Sequence, residues 1–178
     1  MHNDIERVLF TEEALEAKAK ELGKMITADY AGEELTVIGV LKGSNVFTAD
    51  LIRQIELPVI LDFIAVSSYG RSTVSTGTVR LIKDLDFSIE NKNILIVEDI
   101  VDTGLTLKYL MDNFQSRNPK SIKICSLLDK PERRKADVNI DYKGFDIPDE
   151  FVIGYGIDYA EKYRNLPYVG ILKRSVYE

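Results

Sequence analysis

The stretch Ile94-Leu95-Ile96-Val97-Glu98-Asp99-Ile100-Val101-Asp102-Thr103-Gly104-Leu105-Thr106 runs four apolar residues straight into two adjacent carboxylates, then a third acid, a hydroxyl, a glycine and a second hydroxyl. An unbroken apolar run of this kind is expected of a strand covered on both faces, as in a parallel sheet. The carboxylates are expected where that strand ends, with residues 102–106 leading into a helix. Ligands of open α/β sheets bind beyond the carboxyl ends of strands, and helix N-termini accept phosphate. One short segment therefore offers acidic groups and a phosphate cradle side by side.

Working outward, the pattern repeats on both sides. After the stretch, Leu107, Leu110, Met111 and Phe114 recur at core spacing on a helix that stops before Pro119. A strand follows over 121–128, then the charged turn Asp129-Lys130-Pro131-Glu132-Arg133-Arg134. Strand-like pieces are expected over 140–145, 151–155 and 168–172, with a helical turn over 158–165. Before the stretch, Thr11-Glu12-Glu13 opens a helix, with a capping hydroxyl and acids in its positive first turn. Leu15, Ala19, Leu22 and Ile26 mark that helix's buried face. Residues 35–41 form a strand that ends in Lys42-Gly43-Ser44-Asn45. A helix carrying Phe47, Leu51, Ile52 and Ile55 comes next, then a strand over 58–66. Strand, helix, strand is the crossover unit of parallel sheets. Residues 67–79 are polar and small, with Gly70 and Gly77 near the two ends. Such a loop is either functional or disordered, and glycines near its ends suit a hinged lid. The sum is an α/β domain with a mostly parallel central sheet flanked by helices and a less regular C-terminal part.

Composition narrows the function classes. The chain has 178 residues, so a single domain spanning 1–178 is expected, and 45% hydrophobic with 29% charged residues is ordinary for a globular protein. The net charge of −6 argues against broad nucleic-acid binding, which needs a basic footprint. The single cysteine, Cys125, lies in an apolar run and reads as a small buried strand residue. It cannot form a disulfide within the chain, so a reducing, cytoplasmic setting is expected. No signal-peptide pattern opens the chain, and no apolar run approaches the roughly 18 residues of a membrane span.

The chain has no G-x-x-x-x-G-K-[ST] and no G-x-G-x-x-G after a strand, which excludes a P-loop and a dinucleotide fingerprint. The acids of the opening stretch would repel a phosphate bound at the helix start unless they face something else. Sugar hydroxyls or a magnesium ion would satisfy them. The residues alone therefore point to a sugar phosphate lying across a strand end, with Mg²⁺.

Residues 94–106 resemble, along their full length, the phosphoribosyl-pyrophosphate motif of the type I phosphoribosyltransferases: four apolar residues, two acids, two apolar residues, then Asp-Thr-Gly-x-Thr. Leu41-Lys42-Gly43-Ser44, Ser68-Tyr69-Gly70, Leu127-Leu128-Asp129-Lys130-Pro131 and the segment Phe151-Val152-Ile153-Gly154-Tyr155-Gly156-Ile157-Asp158-Tyr159 are similar, in order and spacing, to the bacterial hypoxanthine(-guanine) phosphoribosyltransferases. The resemblance covers essentially the whole chain. It implies the type I phosphoribosyltransferase fold, with a small irregular hood built from the chain ends. It also implies purine salvage, in which a purine ring nitrogen displaces pyrophosphate from phosphoribosyl pyrophosphate through an oxocarbenium-like transition state.

By the same resemblance, Glu98 and Asp99 hold the ribose hydroxyls and, with Asp158, the magnesium. Asp102 is the general acid/base beside nitrogen 7 of the purine, although its local sequence equally suits a helix N-cap. Thr103, Gly104, Leu105 and Thr106 cradle the 5′-phosphate. Lys130 reads the 6-oxo group, since an ammonium only donates. Phe151 stacks on the purine, Val152 offers its backbone carbonyl, and Ile100 and Asp158 complete the purine site. Lys42, Gly43 and Arg164 receive pyrophosphate; the peptide entering Lys42 can be cis in this family, and many relatives carry a second glycine where this chain has Ser44. Ser68 and Tyr69 match the tip of a lid. The family is usually dimeric or tetrameric, and similar bacterial enzymes are inhibited by ppGpp, so competition by a guanosine polyphosphate is expected. Two other readings remain at this level. One is a nucleic-acid-binding regulator on the same fold, against which stand the acidic charge and the retained Asp102 and Lys130. The other is a transferase for another base, such as uracil or xanthine.

Overall fold

The computed structural model describes residues 1–68 and 79–178. The expected lid tip at Tyr69 lies outside these residues, and Ser68 ends a strand. A six-stranded sheet in the order β4-β3-β2-β5-β6-β7 forms the centre. Its strands are β2 (Leu35–Leu41), β3 (Val59–Ser68), β4 (Val79–Lys83), β5 (Asn93–Val101), β6 (Ser121–Asp129) and β7 (Tyr142–Asp146). Only the β3–β4 pairing is antiparallel.

Alternation along β5 explains the unbroken apolar run. Leu95 and Val97 face one layer, and Ile94 and Ile96 the other; all four are fully buried. The first layer holds helices α1 (Glu12–Asp29) and α2 (Asn45–Ile52), which contribute Leu15, Leu22, Ile26, Phe47 and Leu51. The second holds α3 (Leu105–Gln115), which contributes Leu107, Leu110 and Phe114. A side chain of this kind stabilises the fold by about 1.5–3 kcal/mol when fully buried. The predicted cap of α1 is present: Thr11 Oγ1 accepts a hydrogen bond from Ala14 N.

The parallel part of the sheet reverses its winding between β2 and β5. From β2 the chain moves outward to β3, and from β5 it moves the other way to β6 and β7. A crevice opens at such a switch point, outside the strands' carboxyl ends. Residues 42–44 and 98–104 lie at that crevice.

A second, three-stranded antiparallel sheet forms the hood, in the order β1-β9-β8. It joins β1 (Ile5–Phe10), near the start of the chain, to β8 (Val152–Ile153) and β9 (Val169–Leu172). Ile153, Leu166 and Leu172 pack beneath it. Two details depart from expectation, and β1 is an element that the sequence pattern does not announce. The strand β5 does not stop at the acids but continues through Val101, so Glu98 and Asp99 lie within its last residues. No helical turn forms over 158–165: Ala160, Glu161 and Tyr163 adopt left-handed φ values of 51°, 63° and 75°, which a helix excludes. β1 carries register irregularities at both ends, which break the two-residue rhythm that would have marked it as a strand. Among the described residues no helix is long and apolar enough to cross a membrane.

Candidate active site

The crevice at the switch point is a cleft of about 280 Å³, and most of the candidate donor-binding residues meet there. From β2 and its loop come Lys42 and Gly43. From β5, the following turn and the start of α3 come Glu98, Asp99, Ile100, Asp102, Thr103, Gly104 and Thr106. From the hood come Asp158 and Arg164. Leu105, also expected at the phosphate, opens α3 but does not line the cleft.

Glu98 is buried and Asp99 partly so. Burial, and then the neighbouring Asp99 carboxylate, push the Glu98 carboxyl well above the usual range; burial likewise raises Asp99. Asp99 Oδ1 accepts from Ile100 N at 2.8 Å. Negative charge at this strand end thus lacks full compensation, which fits a divalent cation with oxygen ligands. Asp158, the third expected ligand, is already engaged. Its Oδ1 lies 2.8 Å from Arg164 Nη2, and its Oδ2 accepts from Glu161 N at 2.8 Å. Among the described residues no three Asp, Glu, His or Cys side chains converge on one point. A magnesium ion held by Glu98 and Asp99 would draw further oxygens from substrate and water, its common habit.

The loop after β2 fits against these acids with little space. The Leu41–Lys42 peptide is cis. Ser44, where many relatives have glycine, is fully buried and donates through Oγ to Val40 O at 2.7 Å. A Cβ on Gly43 would sit 1.7 Å from Asp99 Oδ2, and a Cβ on Gly156 would sit 2.1 Å from Gly43 O. The three residues are stacked, so the loop after β2, the acids near the end of β5 and the hood are held in mutual register.

The turn after β5 is not capped by Asp102. Gly104, with φ of 80°, occupies the N-cap of α3, and Thr103 Oγ1 accepts from Leu105 N. A Cβ on Gly104 would meet Val138 at 2.9 Å. The first amides of α3 lack intrahelical partners and carry the positive end of the helix dipole, which suits a phosphate monoester. Freed from capping, Asp102 faces Arg133: its Oδ1 lies 2.8 Å from Arg133 Nε. The N–H is not aimed at that oxygen, which is buried and accepts no hydrogen bond. Arg133 thus holds one oxygen of Asp102, while the half-exposed carboxylate lines the cleft and can present its other oxygen to a substrate proton.

The residues expected to read the base lie next to this cleft, around a second hollow lined by Lys130, Arg133, Asp149, Glu150, Phe151 and Tyr177 among others. Lys130 follows β6, is buried, and donates through Nζ to Glu150 O at 2.7 Å, with Asp149 Oδ1 at 3.6 Å. Its backbone N donates to Val101 O at 2.9 Å, which ties the turn after β6 to the end of β5. Phe151 is partly exposed, stacks on Tyr177 with ring centroids 5.0 Å apart, and meets the edge of Tyr159. Val152 is buried in β8. Arg133, Asp149, Glu161 and Tyr177 escaped the sequence reading. All but Asp149 stand in segments already marked as a charged turn, a short hood piece or a chain end, and nothing local signals that Arg133 reaches Asp102 or that Glu161 reaches Lys42.

Comparison with known proteins supports the fold. Residues 9–160 match the family described as "Phosphoribosyl transferase domain". The chain is 57% identical to the hypoxanthine-guanine phosphoribosyltransferase of Bacillus subtilis (strain 168), over all of this chain and 99% of the relative. It is similar to a crystal structure of a hypoxanthine phosphoribosyltransferase from Staphylococcus aureus, with a TM-score of 0.97 and 55% identity over 100% of this chain and 97% of the other. A Trypanosoma cruzi hypoxanthine phosphoribosyltransferase, solved as a ternary substrates complex, superposes with a TM-score of 0.93 at 45% identity over 99% of this chain and 100% of the other.

Proposed function

The chain belongs to the phosphoribosyl transferase domain family, and on that premise we propose that it is a purine salvage enzyme transferring 5-phosphoribosyl from phosphoribosyl pyrophosphate to hypoxanthine and guanine, giving IMP or GMP and pyrophosphate. The observation that carries this reading is the direct join between donor and acceptor sites. The Lys130 backbone bonds to Val101 O, so the residue that reads the base hangs from the strand that binds the ribose.

In this reading the 5′-phosphate sits on the first turn of α3, with Thr103 and Thr106 as side-chain donors. Glu98 and Asp99 accept from the ribose hydroxyls, and their charge stabilises the cationic sugar as it develops. Lys42 and Arg164 take the pyrophosphoryl group; Arg164 Nε is buried without a partner and has a donor to spare. Glu98 and Asp99, with Asp158 lining the same cleft, would hold a magnesium ion, which would supply positive charge against the departing pyrophosphate. Asp102 accepts the proton that the purine gives up as its ring nitrogen attacks the anomeric carbon. Lys130 has three donors and spends one on Glu150 O, which leaves others for the 6-oxo group. Adenine would set an amino group against that ammonium, and a desolvated donor facing a donor is costly. Phe151 supports the ring, Ile100 and Asp158 border it, and Val152 contributes its carbonyl.

The same reading places the protein in the cytoplasm as a homodimer or homotetramer. It also makes a guanosine polyphosphate such as ppGpp a competitor of the donor, because one molecule would fill both the purine and the phosphate positions. A panel of bases with phosphoribosyl pyrophosphate and Mg²⁺ tests the assignment. Hypoxanthine and guanine should turn over, and adenine and uracil should not. Preferential use of adenine or uracil would overturn it.

A further inference from the structure

The hood loop that failed to form a helical turn sets a carboxylate between two cations. Glu161 Oε2 lies 3.0 Å from Lys42 Nζ and 3.5 Å from Arg164 Nη2. Arg164 is fixed independently, donating to Gly156 O at 2.8 Å and pairing with Asp158 at 2.8 Å. Asp158 in turn accepts from Glu161 N, which pins the backbone of the residue whose side chain reaches over. Ala160, Glu161 and Tyr163 are all left-handed without being glycine, a conformation L residues rarely adopt. That backbone brings Glu161 back toward residue 42, 119 positions earlier in the chain.

Lys42 and Arg164 are the residues assigned above to pyrophosphate. We propose that Glu161 is an internal counter-anion of the pyrophosphate subsite: its carboxylate takes the place between Lys42 and Arg164 that the donor's pyrophosphoryl group must occupy. The donor displaces it on binding, and its return helps to expel pyrophosphate. This rests on the reading of Lys42 and Arg164 as pyrophosphate contacts.

The physical terms suit an exchangeable anion. Lys42 and Glu161 are both about two-thirds exposed, at 67% and 66%. A pair so exposed is weak and screened by salt. Pyrophosphate, with more charge and more acceptor oxygens, therefore wins the two cations from a single carboxylate, yet must do so against it. An exposed pair of this kind is worth roughly a 2- to 5-fold factor in affinity.

The test is Glu161→Gln, which keeps the shape and removes the charge. At low ionic strength the KM for phosphoribosyl pyrophosphate and the Ki of pyrophosphate should both fall roughly 2- to 5-fold, with the KM for hypoxanthine unchanged. The gain should shrink in 0.5 M KCl, and should be smaller in a Lys42→Met background. A brace that merely holds the loop predicts the opposite, a weaker donor site in Glu161→Gln. Unchanged or raised KM and Ki would overturn the proposal. Lys42→Met separates the two ways of failing. If it weakens donor and pyrophosphate binding while Glu161→Gln is neutral, only the counter-anion is refuted. If Lys42→Met changes neither constant, the pyrophosphate subsite itself is wrong and this inference falls with it.

Discussion

Replacing Gly43 by alanine isolates the contact that aligns the donor site. The backbone at Gly43 is not left-handed, so alanine meets no conformational barrier of its own. The obstacle is Asp99: the added Cβ would lie 1.7 Å from its Oδ2 and 2.7 Å from its Cγ, where ordinary contact begins at 3.4 Å. Half of the contact distance is missing, so the Asp99 carboxylate or the residue 42–44 loop must move by more than 1 Å. The loop is held from the other side by Gly156, whose own α-carbon packs on Gly43 O. The carboxylate is the softer member, and it is the one proposed to grip the ribose. A 1 Å misplacement of a positioning group costs on the order of 10²-fold in rate. Gly43→Ala should therefore lower kcat/KM for phosphoribosyl pyrophosphate about 100-fold, measured by following IMP formation from hypoxanthine. Thermal unfolding should change by only a few degrees, since one flexible carboxylate relieves the clash. The cycle with Asp99→Ala is decisive. Removing the carboxylate makes room for the methyl group, so Gly43→Ala should cost little more in that background. Near wild-type kcat/KM in the single variant, or full additivity in the double one, would refute the reasoning.

Other expectations follow from the same geometry. Asp102→Asn keeps the shape but abolishes the proton acceptor; kcat should fall about 10²- to 10⁴-fold, with donor affinity preserved in a direct binding measurement. Glu98→Gln should stabilise the ligand-free protein. The folded-state carboxyl is raised, so above the unfolded value of about 4.3 the folded protein binds more protons than the unfolded chain and loses stability as pH climbs. The gain in Tm for Glu98→Gln should accordingly be larger at pH 8 than at pH 5, while stabilisation by the donor with Mg²⁺ is lost; a lower Tm at pH 8 would contradict the burial argument. Tyr155→Phe removes the hydroxyl that donates to Asp50 Oδ2 at 2.6 Å and links the hood to α2. It should cost about 1 kcal/mol of stability, read by urea unfolding, and more than 3 kcal/mol would mean that the ring itself has shifted.

The elements legible in the sequence were those with a strong period and a strong boundary. Thr11 capped α1, Pro119 lay beyond the end of α3, and the run over 94–97 was a strand buried on both faces. Elements that depend on a partner were not legible. β1 is irregular in register and finds its pairing with β9 some 160 residues away. Residues 158–165 carry side chains that suit a helical turn, but Ala160, Glu161 and Tyr163 are left-handed, in a loop closed by Asp158 and a short antiparallel bridge between Tyr159 and Lys162. Asp102 shows the same limit within the motif itself. Its local sequence favours a cap, but α3 starts two residues later and Gly104, with φ of 80°, takes that position.

By itself, the amino-acid sequence determined the chemistry available. Hydrophobic period is local and side-chain identity is explicit, so a buried strand, three acids, two hydroxyls and a helix start were all readable from thirteen consecutive residues. Only the tertiary structure decided which charges face each other. Arg133 against Asp102, Glu161 between Lys42 and Arg164, and Asp99 pressed on Gly43 are contacts between residues 31, 119 and 56 positions apart. Such contacts come from strand order and loop backbone, which bring together groups that have no local pattern in common. The sheet's reversal between β2 and β5 puts the acids and the loop after β2 around one crevice, with Lys130 at the hollow beside it.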